Sequence, residues 1–82
     1  MIPLQCKMAR MALNIGVRDL ATMAKVAPGT VSRFESGEDL KERTVDALQR
    51  ALEEAGVIFL DGTYSGSGGP GVRLMTQPKS DA

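Results

Sequence analysis

Two short segments with helical apolar spacing, separated by three residues, constrain the fold of this chain more than any other feature. Residues 17–24 and 28–35 each repeat apolar side chains at intervals of three or four, which predicts one buried face on each of two helices. Residues 25–27 are too few for anything but a turn, and Pro28 suits the first position of a helix. Two short helices joined in this way cross at a steep angle, so that the second can project from the globule. The residues predicted to face inward are Val17, Leu20, Ala21, Ala24, Val31 and Phe34.

Two further helices are predicted to flank this pair. Residues 3–13 start with a proline and then repeat small and apolar side chains along one face. Asp39 has the form of the acidic N-cap of a capping box that Glu42 completes, which predicts a fourth helix over about residues 40–55. A start at Thr44 is the alternative.

The chain changes character after Gly56, where β-branched and aromatic residues replace the helical pattern. The following residues are rich in glycine and serine, which indicates a flexible loop. The predicted organisation is a mainly α domain of four to five helices at 1–56, a β segment at 57–75 with strands at 57–60 and 72–75 and a flexible loop at 61–71, and a disordered tail at 76–82.

Composition excludes several function classes. The chain contains no histidine and a single cysteine, which argues against a His/Cys zinc site, His-based acid–base catalysis and an internal disulfide. Cys6 lies on an apolar stripe, which favours a buried thiol over a redox sensor. No apolar run approaches the roughly 18–20 residues of a membrane span, and no signal-peptide pattern occurs. We therefore expect a cytoplasmic protein that is not an enzyme and binds neither metal nor cofactor.

Charge is balanced overall but unevenly distributed. Ten basic and ten acidic residues argue against a nucleic-acid-binding protein, which is usually basic. Residues 1–37, however, hold five bases and two acids (+3), whereas residues 38–56 hold three bases and six acids (−3). The positive part could face phosphate while the acidic part faces away. The alternative is that solvated helix faces simply differ in sign.

The run from Gly16 to Gly37 resembles the helix-turn-helix of the lambda-repressor/Cro-like (XRE) transcriptional regulators. The matching positions are Leu20, Ala21, Ala24, Val26, Thr30, Val31, Ser32, Phe34, Glu35 and Gly37. The resemblance extends over about residues 3–56 and implies a lambda-repressor-like DNA-binding domain. Lys25 departs from the pattern, because it occupies a turn position often held by glycine, where a left-handed backbone would cost roughly 1 kcal/mol.

The resemblance also implies roles for individual residues. Arg10 and Glu35 occupy the positions of a partly buried ion pair that ties the first helix to the recognition helix at about 28–35. The residues expected to contact bases in the major groove are Ala27, Pro28, Gly29, Ser32 and Arg33. The residues expected to contact phosphates are Val17 (through its backbone N–H), Arg18, Thr30, Ser36, Lys41 and Arg43. For Lys41 and Arg43, a solvated start of the fourth helix is an equal alternative.

The function implied is that of a sequence-specific regulator, expected to be a repressor, that binds a palindromic operator as a homodimer. Val57, Ile58, Phe59 and Leu60 are apolar on both faces of their strand, so we expect them to form the dimer interface, with Ile58 or Phe59 at its centre. A hairpin that only covers its own helical core is the alternative.

Two other functions are consistent with the sequence. The chain could be the antitoxin of a toxin–antitoxin pair, with residues 57–75 holding a protein partner. It could also be an adaptor whose helix-turn-helix binds protein and no longer binds DNA, which the zero net charge favours.

Overall fold

The architecture is four helices followed by an antiparallel pair of strands, in a computed structural model that describes residues 1–60 and 68–75. The elements are α1 (Pro3–Leu13), α2 (Val17–Ala24), α3 (Pro28–Glu35), α4 (Glu42–Glu54), β1 (Val57–Leu60) and β2 (Gly71–Leu74). The predicted class, mainly α with a short β segment after it, is confirmed, and α1 to α3 and β1 have the predicted bounds. The predicted tail and most of the predicted loop lie outside the described residues.

Two elements, α4 and β2, have bounds that differ from the sequence-based expectation at both ends. α4 begins at Glu42 after an extended Lys41, so the capping box predicted at Asp39 is wrong. The residues before it instead carry the chain away from α3, with Leu40 packed against the core. β2 spans Gly71–Leu74 and not residues 72–75, because the ends of β1, Val57 and Leu60, pair with Leu74 and Gly71, which places Val72 opposite Phe59. A shift of one residue would turn the apolar side chains to the other face.

The first three helices end in the same backbone motif. Asn14, Lys25 and Gly37 each adopt a left-handed conformation, with φ of 58°, 61° and 102°. The next N–H in the chain then bonds back to a carbonyl of the last helical turn, which is the Schellman arrangement. These bonds join Ile15 N to Arg10 O, Val26 N to Ala21 O and Glu38 N to Arg33 O, each at 3.0 Å. Glycine adopts this backbone freely, whereas Lys25 does so at a cost of roughly 1 kcal/mol.

The core is aliphatic and lies where the helices meet. α2 packs on α3 and α4, and α1 on α3 and α4, while β1 covers α4 and β2 covers α1. The fully or nearly fully buried apolar residues are Cys6, Ala9, Leu20, Ala21, Val31, Phe34, Leu48, Ala51, Leu52 and Val57. Among the described helices, none has the length and apolar character that a membrane span requires.

The hairpin of β1 and β2 is fastened to α1 by Gln5. The buried Gln5 side chain donates from Nε2 to Leu60 O at 2.8 Å and to Gly71 O at 3.0 Å. Its Oε1 accepts a hydrogen bond from Ile2 N at 3.0 Å. One amide therefore satisfies a carbonyl on each strand and closes the first turn of α1.

Candidate nucleic-acid interface

Helix α3 has one buried face and one exposed face. Val31 and Phe34 are buried, as predicted, and pack against α2 and the rest of the core. The five residues predicted to contact bases are all exposed: Ala27, Pro28, Gly29, Ser32 and Arg33. Four of them have small or short side chains, so another macromolecule could approach the α3 backbone closely.

A buried ion pair holds the C-terminal end of α3 against α1. Arg10 donates from Nε to Glu35 Oε2 at 2.7 Å and from Nη2 to Glu35 Oε1 at 2.8 Å, a bidentate arrangement. The two side chains are only 11% and 10% exposed. Arg10 Nη1 also donates to Ile15 O at 3.2 Å, at the start of the α1–α2 turn. The predicted pair is thus present, and it joins α1, the following turn and α3.

The electrostatics of this cluster follow from its burial. The hydrogen bond to Glu35 raises the pKa of Arg10 above its usual range. Burial by itself would raise the pKa of Glu35, but hydrogen bonds from Arg10 and Cys6 and the nearby cationic charge outweigh it, so the pKa is lowered. Both groups are therefore charged at neutral pH.

Cys6 belongs to the same cluster and is a hydrogen-bond donor. Its Sγ lies 3.3 Å from Glu35 Oε2. Burial, followed by the hydrogen bond and the charge of Glu35, raises the pKa of the thiol to about 12. A thiol of this kind is unreactive at neutral pH, which agrees with the predicted buried role.

An open groove lies beside α3 and brings several predicted contact residues together. Its volume is about 480 Å³, and it lies between the α2–α3 turn, α3 and the start of α4. The predicted contact residues on its walls are Ala27, Thr30, Arg33 and Lys41. Its remaining lining residues are Val26, Asp39, Leu40 and Thr44. Two cations and one carboxylate thus face the same groove.

Other predicted phosphate contacts lie elsewhere. Arg43 lines a separate depression on α4 with Asp46, Ala47 and Arg50, so the structure does not bring it to the groove. Val17 and Arg18 form the first turn of α2, outside the groove. Ser36 is exposed, and its hydroxyl donates to Arg33 O at 2.9 Å.

Two carboxylates beside the interface were not predicted. Glu38 Oε1 lies 3.8 Å from Arg33 Nε, and both side chains are more than half exposed. Asp19 Oδ2 accepts a hydrogen bond from Gly16 N at 2.9 Å, which satisfies the N–H of the N-cap residue, whereas glycine has no side chain to accept a bond from the first N–H groups of α2. The sequence signal for Glu38 is its place directly after Gly37, because a Schellman turn returns that residue to the last turn of the helix.

No protein-family model matches the chain, and no curated protein is similar to it in sequence. Over the described residues, no group of three or more Cys, Asp or Glu side chains is placed to hold a metal ion.

Proposed function

We propose that this protein is a DNA-binding transcriptional regulator of the lambda-repressor/Cro-like type, acting in the cytoplasm on the nucleoid as a homodimer. The observation that carries the proposal is the presentation of α3. The helix is anchored by Val31, Phe34 and the buried pair of Glu35 with Arg10. Its opposite face is exposed and carries mostly short side chains. A rigid helix with such a face fits the major groove of B-DNA.

Sequence discrimination in this proposal depends mainly on Arg33. Among the five proposed base-contacting residues, Arg33 alone has two parallel N–H donors suited to guanine O6 and N7. Such a contact discriminates by about 1–3 kcal/mol. Ala27 and Pro28 would pack against thymine methyl groups, and the absence of a side chain at Gly29 leaves room for the base edges.

Phosphate contacts would flank this centre. Thr30 and Lys41 lie on the groove beside α3, and Arg18 and the Val17 N–H lie at the start of α2. A helix N-terminus and cationic side chains both attract phosphate. Arg43 is left out of this set, since it lies on another surface.

The outer face of the hairpin would supply the dimer interface. Val57 is buried and Phe59 packs against the core, so these two residues cover the helices. Ile58 is 44% exposed on the other face of β1, and Leu60 lies on that same face. To read a two-fold operator, a dimer formed through this face would have to present its two recognition helices about 34 Å apart on one side of the DNA.

Selection from random duplex DNA tests the proposal. We expect a palindromic site to be enriched, and Arg33→Ala to lose discrimination at one base pair of each half-site. Arg43→Ala is the matched control, since it removes an arginine from a surface away from the groove. A change of less than about threefold in operator affinity for Arg33→Ala would show that another residue is the principal base contact. Enrichment of no sequence would contradict the proposed function.

A protein-binding role is the second candidate, favoured by the exposed apolar side chains of the hairpin. Leu74 and Met75 are each 43% exposed in addition to Ile58, although Leu74 pairs with Val57 and therefore lies on the opposite face of the hairpin from Ile58. An antitoxin or an adaptor would use such a surface to hold a different protein. Light scattering on Ile58→Glu separates the cases: a fall from dimer to monomer supports the homodimer, whereas a wild-type monomer contradicts it. Cutting the chain after Gly56 is less informative, because it would remove Val57 from the core.

A further inference from the structure

Glu38 is held beside Arg33 by the way in which α3 ends. Gly37, at φ 102°, directs the chain back, and Glu38 N bonds to Arg33 O at 3.0 Å. The two residues are therefore joined at the backbone before their side chains meet. Because the Schellman turn defines this placement, the Glu38 carboxylate remains near the Arg33 side chain even though both are largely exposed.

The contact occupies one particular edge of the guanidinium. Glu38 Oε1 faces Arg33 Nε at 3.8 Å, a distance of charge attraction and not of a hydrogen bond. Arg33 Nη1 lies over Gly29, 3.7 Å from where a Cβ would stand at that glycine. The side chain thus runs back along α3, and its terminal nitrogens lie on the exposed face of the helix.

We infer that Glu38 is a positioning residue that determines specificity, an inference that rests on the proposed DNA-binding function. A carboxylate at Nε leaves the two terminal nitrogens free for the paired contact with guanine O6 and N7. It also limits the rotation of a long, otherwise mobile side chain, so that less conformational entropy is lost when the guanine is bound.

The negative charge of Glu38 also raises specificity by weakening binding to DNA that lacks the operator. Non-specific binding depends on attraction between cationic side chains and phosphates. A carboxylate next to Arg33 weakens that attraction and repels nearby phosphates. Glu38 therefore favours the guanine contact and disfavours contact of Arg33 with the DNA backbone, and both effects raise the ratio of specific to non-specific affinity.

The test compares wild type, Glu38→Gln and Asp39→Asn on two duplexes of equal length at one salt concentration. One duplex carries the selected operator, and the other carries A·T at the base pair where Arg33→Ala loses discrimination. We expect Glu38→Gln to reduce the ratio of the two affinities about two- to tenfold, the range given by the cost of ordering one long side chain. Asp39→Asn also removes one negative charge, but from a residue of the groove wall that is not the ion-pair partner of Arg33. It should therefore raise both affinities alike and leave their ratio unchanged.

The outcomes are distinguishable. In an Arg33→Ala background, Glu38→Gln should no longer change the ratio, since the residue that it positions is absent. If wild type is selective but Glu38→Gln leaves the ratio as it was, or changes it as Asp39→Asn does, the inference about Glu38 is wrong and the proposed function stands. If wild type does not discriminate between any duplexes, the proposed function fails and the inference fails with it.

Discussion

Replacement of Glu35 by alanine should destabilise the fold far more than replacement of an exposed carboxylate. Arg10 would lose two short charge-assisted hydrogen bonds and keep only the bond to Ile15 O. Cys6 would lose its acceptor as well. Breaking a fully buried pair costs about 3–5 kcal/mol, whereas an exposed pair contributes about 0.2–1 kcal/mol. Because the Arg10 side chain retains 11% exposure and could turn partly toward water, we expect a loss of about 2–4 kcal/mol.

Urea unfolding followed by circular dichroism measures this loss. The matched control is Glu38→Ala, since the Arg33–Glu38 side chains are 55% and 59% exposed and their separation is 3.8 Å. The control should change the free energy of unfolding by less than about 0.5 kcal/mol. A loss below about 1 kcal/mol for Glu35→Ala would refute the view that this pair anchors α3.

Acid should reduce the difference between wild type and Glu35→Ala. The folded-state pKa of Glu35 lies below the ordinary value of 4.5, so the carboxylate stabilises the fold fully above that pH. This contribution is lost as the pH falls from there through the lowered folded-state pKa. We expect the two urea midpoints to approach each other below about pH 4.5, and a constant difference down to pH 2 would contradict the assignment.

Four further predictions follow from other contacts. The Cys6 pKa rises from 9.0 to about 12 on folding, so the unfolded chain loses the thiol proton first as the pH increases. Between those pH values, wild type should lose stability relative to Cys6→Ala by up to about 1.4 kcal/mol per pH unit. Parallel profiles of unfolding free energy against pH for the two proteins would contradict this. Lys25→Gly should stabilise the fold by up to about 1 kcal/mol in urea, because glycine relieves the left-handed backbone. Gln5→Ala should lower the free energy of unfolding by about 2–3 kcal/mol and speed hydrogen exchange in the hairpin. Leu4→Ala, at a side chain that is 59% exposed, should have neither effect. For the proposed binding of DNA by a homodimer, a slope of log affinity against log salt steeper than about −8 would reveal basic contacts beyond those proposed.

Local patterns predicted the helices because their determinants are close in the sequence. Pro3 and Pro28 mark two helix starts, and Gly37 marks one end, each through its own backbone preference. Asp39 misled the prediction of α4, because a capping residue works only where the chain enters the helix, and the chain remains extended to Lys41.

Long-range polar contacts were harder to predict. Nothing near Gln5 in the sequence indicates that its amide would meet carbonyls more than fifty residues away. The pairing of Arg10 with Glu35 is expected only from the family resemblance, because the two residues lie on different helices and no local pattern connects them. Glu38 could have been found from Gly37, but only after that glycine had been placed in a Schellman turn.

The bond pattern of Gln5 has a consequence for how this chain can vary. The two strand carbonyls that it holds, Leu60 O and Gly71 O, stand at either side of residues 61–70. A side chain from the first helix therefore ties the paired ends of the two strands together, in addition to the apolar register of the strands themselves. Because the first helix holds both strand ends, we expect a peptide inserted between these two carbonyls to leave the strand alignment unchanged, which makes this position suitable for a reporter tag.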